Sequence, residues 1–287
     1  MWPFSKKTTI EASGILNGAA DHHSHILPGV DDGVETMDEA LRILAAYEEL
    51  GIKELWLTPH IMEDIPNTPQ KLATRFEELK AAYKGSITLR LAAEYMIDNN
   101  LHKLLKAREG VESNKLLHSL EGMRHEQSEV TEGNQTNNCP SYVRGASDAV
   151  AEGVAPNSLL PIGNAGKHIL VETSYFNPPM RLRETLRQIK SLGYYPLLAH
   201  PERYMYMDND EYRSLREEGV KFQLNLVSLA CGYGAAVKKK AMWLLTNGLY
   251  SVAGSDLHSE DAIEFITKCK LSKLDIEQVE RLLQNKI

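Results

Sequence analysis

About seven times along this chain a short apolar run gives way to an amphipathic helical stretch, and that alternation restricts the folds open to it. The runs ELWLTPH (54–60), ITLRLAAEY (87–95), HILVETS (168–174), YYPLLAH (194–200), KFQLNL (221–226) and YSVAGSDLH (250–258) read as buried strands. A weaker first strand leads into Asp21. Between them, ETMDEALRILAAYEELG keeps an apolar face through Met37, Leu41, Leu44, Ala45 and Leu50 and stops at Gly51. TPQKLATRFEELKAAYKG, PMRLRETLRQIKSLG, DNDEYRSLREEG and AAVKKKAMWLLTNG repeat the pattern. Strands alternating with helices predict an α/β fold with a parallel sheet and outer helices. No glycine-rich nucleotide turn follows the first strand, so a barrel related to the (β/α)8 type is expected rather than an open nucleotide-binding sheet.

The 287 residues, 43% of them hydrophobic, suffice for one sizeable core, and a single domain is expected. One segment breaks the rhythm. Residues 107–156 are polar and rich in Gly, Ser, Asn, Thr and Glu, which predicts a flexible insertion between two units, with a short helix at NKLLHSLEGM. The net charge of −7 argues against a nucleic-acid partner. Cys139, Cys231 and Cys269 are too few and too scattered for a disulfide framework, so free thiols in a reducing compartment are expected. There is no signal-peptide-like start and no apolar stretch of spanning length, so the expected setting is the cytoplasm, without membrane insertion.

The polar residues fall where a barrel would use them. The first strand runs into Asp21, His23 and His25, and later strands end at His60, Glu94, Glu172 and His200. The last ends at Asp256 and His258. In barrels of this kind the C-terminal strand ends form one rim that carries the active site. Imidazole and carboxylate are the donors that zinc, manganese and iron share, and His-x-His on an extended segment sends both rings to one side. The number of donors exceeds one coordination sphere, so two or three metal ions are expected. His102, His118, His125 and His168 lie in helical or inserted sequence or at a strand start and are not assigned to the site. His22 is expected to point away from its neighbours.

The motifs DHHSHILPGVDDG, LTPH, AAEYM, LVETS, LAHPERY and GSDLH stand in the order of a known family. The chain resembles the PHP (polymerase and histidinol phosphatase) superfamily and, within it, the CpsB/CapC-type protein-tyrosine phosphatases of capsule and exopolysaccharide operons. That resemblance spans roughly residues 20–105 and 157–258. It implies a distorted (β/α)7 barrel with a trinuclear site, usually Mn2+, iron or zinc being the other options. It assigns His23, His25, Glu94 and Asp256 to one metal, and the bridging Glu94 with Glu172 and His200 to a second. Asp32, His60 and His258 go to a third, Asp32 being preferred to Asp31 by its distance from His25. Arg203 is implied as the phosphate-contacting arginine, and the implied partner is a phosphotyrosine protein, a bacterial tyrosine kinase. No arginine follows GSDLH where many relatives place a second phosphate contact.

Several rivals can be weighed on residues. A cysteine-nucleophile phosphatase needs Cys-x5-Arg; Arg144 follows Cys139 one position too early, and Cys231 and Cys269 have no arginine at that spacing. A metal amidohydrolase wants a further histidine at the sixth strand, where Asn225 stands. A histidinol-phosphatase would share fold and metals but take a small substrate. A non-catalytic phosphotyrosine-binding regulator would have no need of so many metal-ligating side chains.

Overall fold

The computed structural model describes residues 7–110 and 158–287. Nine short strands form its centre: β1 (Ala20–Ser24), β2 (Glu54–Leu57), β3 (His60–Ile61), β4 (Thr88–Leu91), β5 (Glu94–Met96), β6 (His168–Glu172), β7 (Tyr195–Ala199), β8 (Lys221–Asn225) and β9 (Val252–Gly254). They pair in parallel as β1-β2-β4 and as β3-β5-β6-β7-β8-β9. Parallel strands buried on both faces should be almost wholly apolar, and β6, His168 to Glu172, is buried throughout.

The runs expected at 54–60 and 87–95 are each broken in two. Pro59 has no N–H to give to a ladder, and β2 stops before it and resumes as β3. Its neighbour breaks at Ala92 and Ala93, yet the pairing resumes with its offset unchanged, Leu57 opposite Leu91 and His60 opposite Glu94. Backbone bonds cross the break, from Ala92 N–H to Leu57 O (2.9 Å) and from Glu94 N–H to Pro59 O (3.2 Å). At the opposite edge, Asp256 N–H donates to His23 O (2.8 Å) and His25 N–H to Leu257 O (2.9 Å). The first and last strands are thereby tied together, and the parallel sheet is curled.

Helices flank the strands, and their starts follow from side-chain caps. Thr36 and Thr68 accept from Glu39 N–H and Lys71 N–H at the heads of Met37–Glu49 and Pro69–Ala82. Ser272 and Asp275 form a capping box for Lys273–Gln284, a helix that the sequence reading left unassigned. Another helix runs over 99–110, so the start of the expected insertion is regular structure: Arg108 donates to Tyr194 Oη and Glu109 accepts from Gln188. The rest of the insertion, with the short helix expected at NKLLHSLEGM, lies outside the described residues. The expected last strand narrows to Val252–Gly254. Among the described residues no helix is long and apolar enough to cross a membrane.

Asp21 is buried and braces the closure. Its Oδ1 accepts from His23 N–H (3.1 Å) and Ser255 N–H (2.8 Å), and its Oδ2 from Tyr47 O–H (2.9 Å). Asp21→Ala would leave three buried donors without a partner, at about 1 kcal/mol or more each. The expected loss is about 3 kcal/mol of unfolding free energy in urea titration. A loss below about 1 kcal/mol would mean that Asp21 does not brace the strands.

Candidate metal centre

Period-two geometry puts His23 and His25 on the same side, and His22 turns the other way, its Nδ1 3.2 Å from Ala253 O. The carbonyl of Gln223 takes the Nδ1 proton of His23 (3.0 Å), and the Asp31 carboxylate takes that of His25 (2.9 Å). In its neutral form each ring therefore points an unprotonated Nε2 inward, and the two Nε2 atoms stand 3.0 Å apart. Glu94 Oε2 lies 3.2 and 3.3 Å from them, and Asp256 Oδ1 lies 3.4 Å from each. The other Asp256 oxygen is held by Asn225 Nδ2 (2.7 Å) and Arg203 Nη1 (3.0 Å).

Glu94 continues into a second group. His60 Nδ1 sits 3.3 Å from Glu94 Oε2 and 3.2 Å from Glu172 Oε1. His200 Nε2 comes from the other side, 3.2 Å from Glu94 Oε1 and 3.8 Å from Glu172 Oε2. The third group is His25, Asp32, His60 and His258, with Asp32 Oδ1 3.4 Å from His60 Nε2 and 3.6 Å from His258 Nε2. All nine residues singled out from sequence thus meet in one continuous cluster. The grouping departs from the expected sets in that His60, expected only in the third, also faces Glu94 and Glu172 with its other nitrogen, and His25, expected only in the first, also stands with Asp32, His60 and His258. Asp31 and Asp32 differ in their partners. Asp31 is spent on His25, the His60 N–H and the Gly33 N–H, whereas Asp32 is exposed and faces the two histidines.

Backbone geometry aims these side chains. His200 and Asp256 follow β7 and β9 in left-handed conformations, φ 33° and 53°, which non-glycine residues rarely adopt. A Cβ at Gly33 would fall 2.0 Å from His25 O, so the loop after His25 closes only with glycine there.

The arrangement suits cations. Two imidazole lone pairs 3.0 Å apart repel unless a proton or a metal stands between them. Both Glu94 oxygens and His60 Nδ1 are buried without a hydrogen-bond partner, a costly state that cations at the cluster would relieve. Imidazole and carboxylate donors with their outer atoms fixed by Gln223, Asp31 and Asn225 are what a divalent transition metal requires. Without metal, protons take that role: burial alone would lower His23, but the Glu94 and Asp256 carboxylates overcome it and hold it at about 9. His25 is likewise held well above the usual range against burial, by Asp256, Asp31 and Glu94.

The cluster floors a cleft of about 540 Å³. Arg203, delivered by the tight turn Pro201–Arg203, is the one arginine or lysine among the described residues that line it. The unassigned histidines stay apart: His102 pairs with Thr185 Oγ1 (2.7 Å), His168 begins β6, and His118 and His125 lie outside the described residues. Gln223, Asn225 and Asp31 were missed as supports. The signal was present for two of them, since Gln223 and Asn225 are polar residues two apart in the buried part of their strand.

Comparison with known proteins agrees with this picture. The profile of the family described as "Capsular polysaccharide synthesis, CpsB/CapC" matches residues 19–130 and 142–275, so it runs through most of the polar segment and skips 131–141. The tyrosine-protein phosphatase CpsB of Streptococcus pneumoniae is 26% identical over 250 residues, covering 84% of this chain and 84% of that protein. The tyrosine-protein phosphatase YwqE of Bacillus subtilis (strain 168) is 26% identical over 265 residues, covering 90% and 84%. A solved structure, described as "Crystal structures of YwqE from Bacillus subtilis and CpsB from Streptococcus pneumoniae, unique metal-dependent tyrosine phosphatases", superimposes with a TM-score of 0.64. At 21% identity over 93% of this chain and 95% of that one, it shows a shared fold.

Metal-free and metal-loaded protein should respond oppositely to pH. In the metal-free form His23 stabilises the fold below its ordinary 6.5, and this contribution fades as pH rises through about 9. Glu94 and Asp256 are held below the ordinary carboxylate range, so their contributions are constant over that window. Metal binding needs deprotonated imidazoles and strengthens as pH rises. The melting-temperature gap between manganese-loaded and chelated protein should therefore widen from pH 6.5 to 9. A gap that stays level or narrows would count against metal at His23.

Proposed function

Since the chain belongs to the CpsB/CapC family of capsular polysaccharide synthesis, we propose that it is a metal-dependent protein-tyrosine phosphatase. Its curled sheet is read as a distorted (β/α)7 PHP-type barrel, and its substrate as a phosphotyrosine tail of a bacterial tyrosine kinase that controls capsule or exopolysaccharide synthesis in the cytoplasm. The observation that carries this reading is the convergence of buried, unpartnered imidazole and carboxylate atoms beside one arginine in one open cleft.

One cation would be held by His23, His25, Glu94 and Asp256. A second would be held by Glu94, Glu172 and His200, with His60 Nδ1 adjacent, and a third by Asp32, His60 and His258. Manganese is the proposed metal, and iron and zinc share its donors. When bound, the cations supply Lewis-acid neutralisation of phosphoryl charge and an acidified water as nucleophile.

The protein groups do the rest. Gln223 and Asp31 keep the Nδ1 protons in place, so His23 and His25 present lone pairs to the site. Arg203 offers a planar fork to phosphoryl oxygens, where charge builds as the bond to the leaving group breaks. A tyrosinate, whose conjugate acid has a pKa of about 10, leaves without a dedicated proton donor. The cleft is bordered by Asp32 from the loop after β1 and by Met62 from the loop after β3. Neither described cysteine lines it.

Chelation should abolish hydrolysis of a phosphotyrosine peptide and manganese should restore it, with Cys231→Ser fully active. Glu94→Ala should lose more bound metal per chain than His258→Ala, because Glu94 serves two groups and His258 one; equal losses would remove the bridging role. With one manganese-loaded preparation, kcat/KM should be higher for a phosphotyrosine peptide than for a phosphoserine peptide or histidinol phosphate. A preference for histidinol phosphate would reassign the substrate and leave the metal centre standing.

A further inference from the structure

We propose that Tyr233, with Tyr175, is a positioning residue that clamps the Arg203 guanidinium between two aromatic faces and so fixes the direction in which its fork meets a phosphoryl group. The proposal rests on the phosphatase reading for its kinetic consequences, though not for the clamp itself. The Arg203 Cζ lies 4.1 Å from the ring centre of Tyr175 and 4.1 Å from that of Tyr233. Two aromatic rings this close to Cζ restrict the tilt of the guanidinium, and Nη1 is anchored 3.0 Å from Asp256 Oδ2. The remaining N–H groups are left to the cleft that Arg203, Tyr175 and Tyr233 all line.

Both rings are themselves held. Tyr175 O–H donates to Glu172 Oε2 (3.2 Å), and Tyr233 Oη is 3.4 Å from Asn225 Nδ2, the amide that also holds Asp256. The loop that delivers Tyr233, Ala230-Cys231-Gly232-Tyr233-Gly234, is built with unusual backbone geometry. Cys231 stands at φ 70° and Gly234 at 91°, and a Cβ at Gly232 would lie 2.4 Å from Val227 Cγ1. A non-glycine residue in the left-handed region is costly and persists where surrounding contacts demand it. Here it lays a half-exposed tyrosine over the arginine.

Tyr233→Leu keeps bulk and removes the π face. It should lower kcat for an aryl phosphate roughly tenfold and change KM less, with bound manganese per chain and melting temperature near wild type. Tyr233→Phe keeps the face and should restore most of the rate. On an Arg203→Lys background, Tyr233→Leu should change the rate by less than about twofold, because the planar group it positions is gone. Should the wild-type protein turn over no phosphomonoester, the phosphatase reading fails. The clamp is then judged by titrating the manganese-loaded protein with inorganic phosphate, where Tyr233→Leu should weaken binding and Tyr233→Phe should not. The proposal is overturned if Leu and Phe variants are equally impaired or equally unimpaired, if the Leu variant loses metal in step with activity, or if its effect is undiminished on Arg203→Lys.

Discussion

Two imidazole nitrogens forced to within 3.0 Å of each other set the terms for the rest of this protein. Left alone, their lone pairs repel, and the Glu94 and Asp256 carboxylates that close around them are too buried to be solvated. Such a cluster is tolerable only when positive charge occupies it. The surrounding scaffold can be read as a set of devices that keep the donors pointed inward despite this cost. Gln223 and Asp31 grip His23 and His25 from behind, Asn225 and Arg203 grip Asp256, and Asp21 binds the strands that carry them.

The interrupted ladder serves the same end. Had β2 and β4 run through without a break, their ends would belong to the first sheet alone. Instead the chain pauses at Pro59 and at Ala92–Ala93 and resumes in register, which joins His60 and Glu94 side by side in the second sheet. Glu94 then reaches His23, His25 and His60 through Oε2 and His200 through Oε1. A carboxylate shared by two groups has to sit between them, and the break is what puts it there.

Much of this was legible in the sequence because metal donors come from few residue types and strand ends are easy to locate. An unbroken apolar run followed by His or Glu, as in LTPH or LVETS, carries both facts at once. The break at Ala92–Ala93 was not legible, because Leu-Ala-Ala-Glu preserves the apolar character of a strand while the hydrogen bonding shifts, whereas Pro59 does mark the other break. The supports were harder still. Gln223 and Asn225 stood out only as polar residues in a buried strand, and Tyr175 and Tyr233 look like ordinary loop aromatics until the fold brings Arg203 between them. The helices Asp261–Thr267 and Lys273–Gln284 lie beyond the last expected strand, so the alternation gave no cue to them, although Ser272 and Asp275 carry a capping signature.

The left-handed backbone at His200 and Asp256 sets folding and chemistry at odds at the two positions where the centre is assembled. Glycine would be more comfortable at either place, so a chain improved solely for robustness in metal-free solution would drift toward losing its donors. A cation bound at the proposed centre would oppose that drift, because a ligand that binds only the folded chain contributes its binding free energy to the fold. On the proposed reading, metal supply in the cell becomes a determinant of how much of this protein survives as well as of how fast it works.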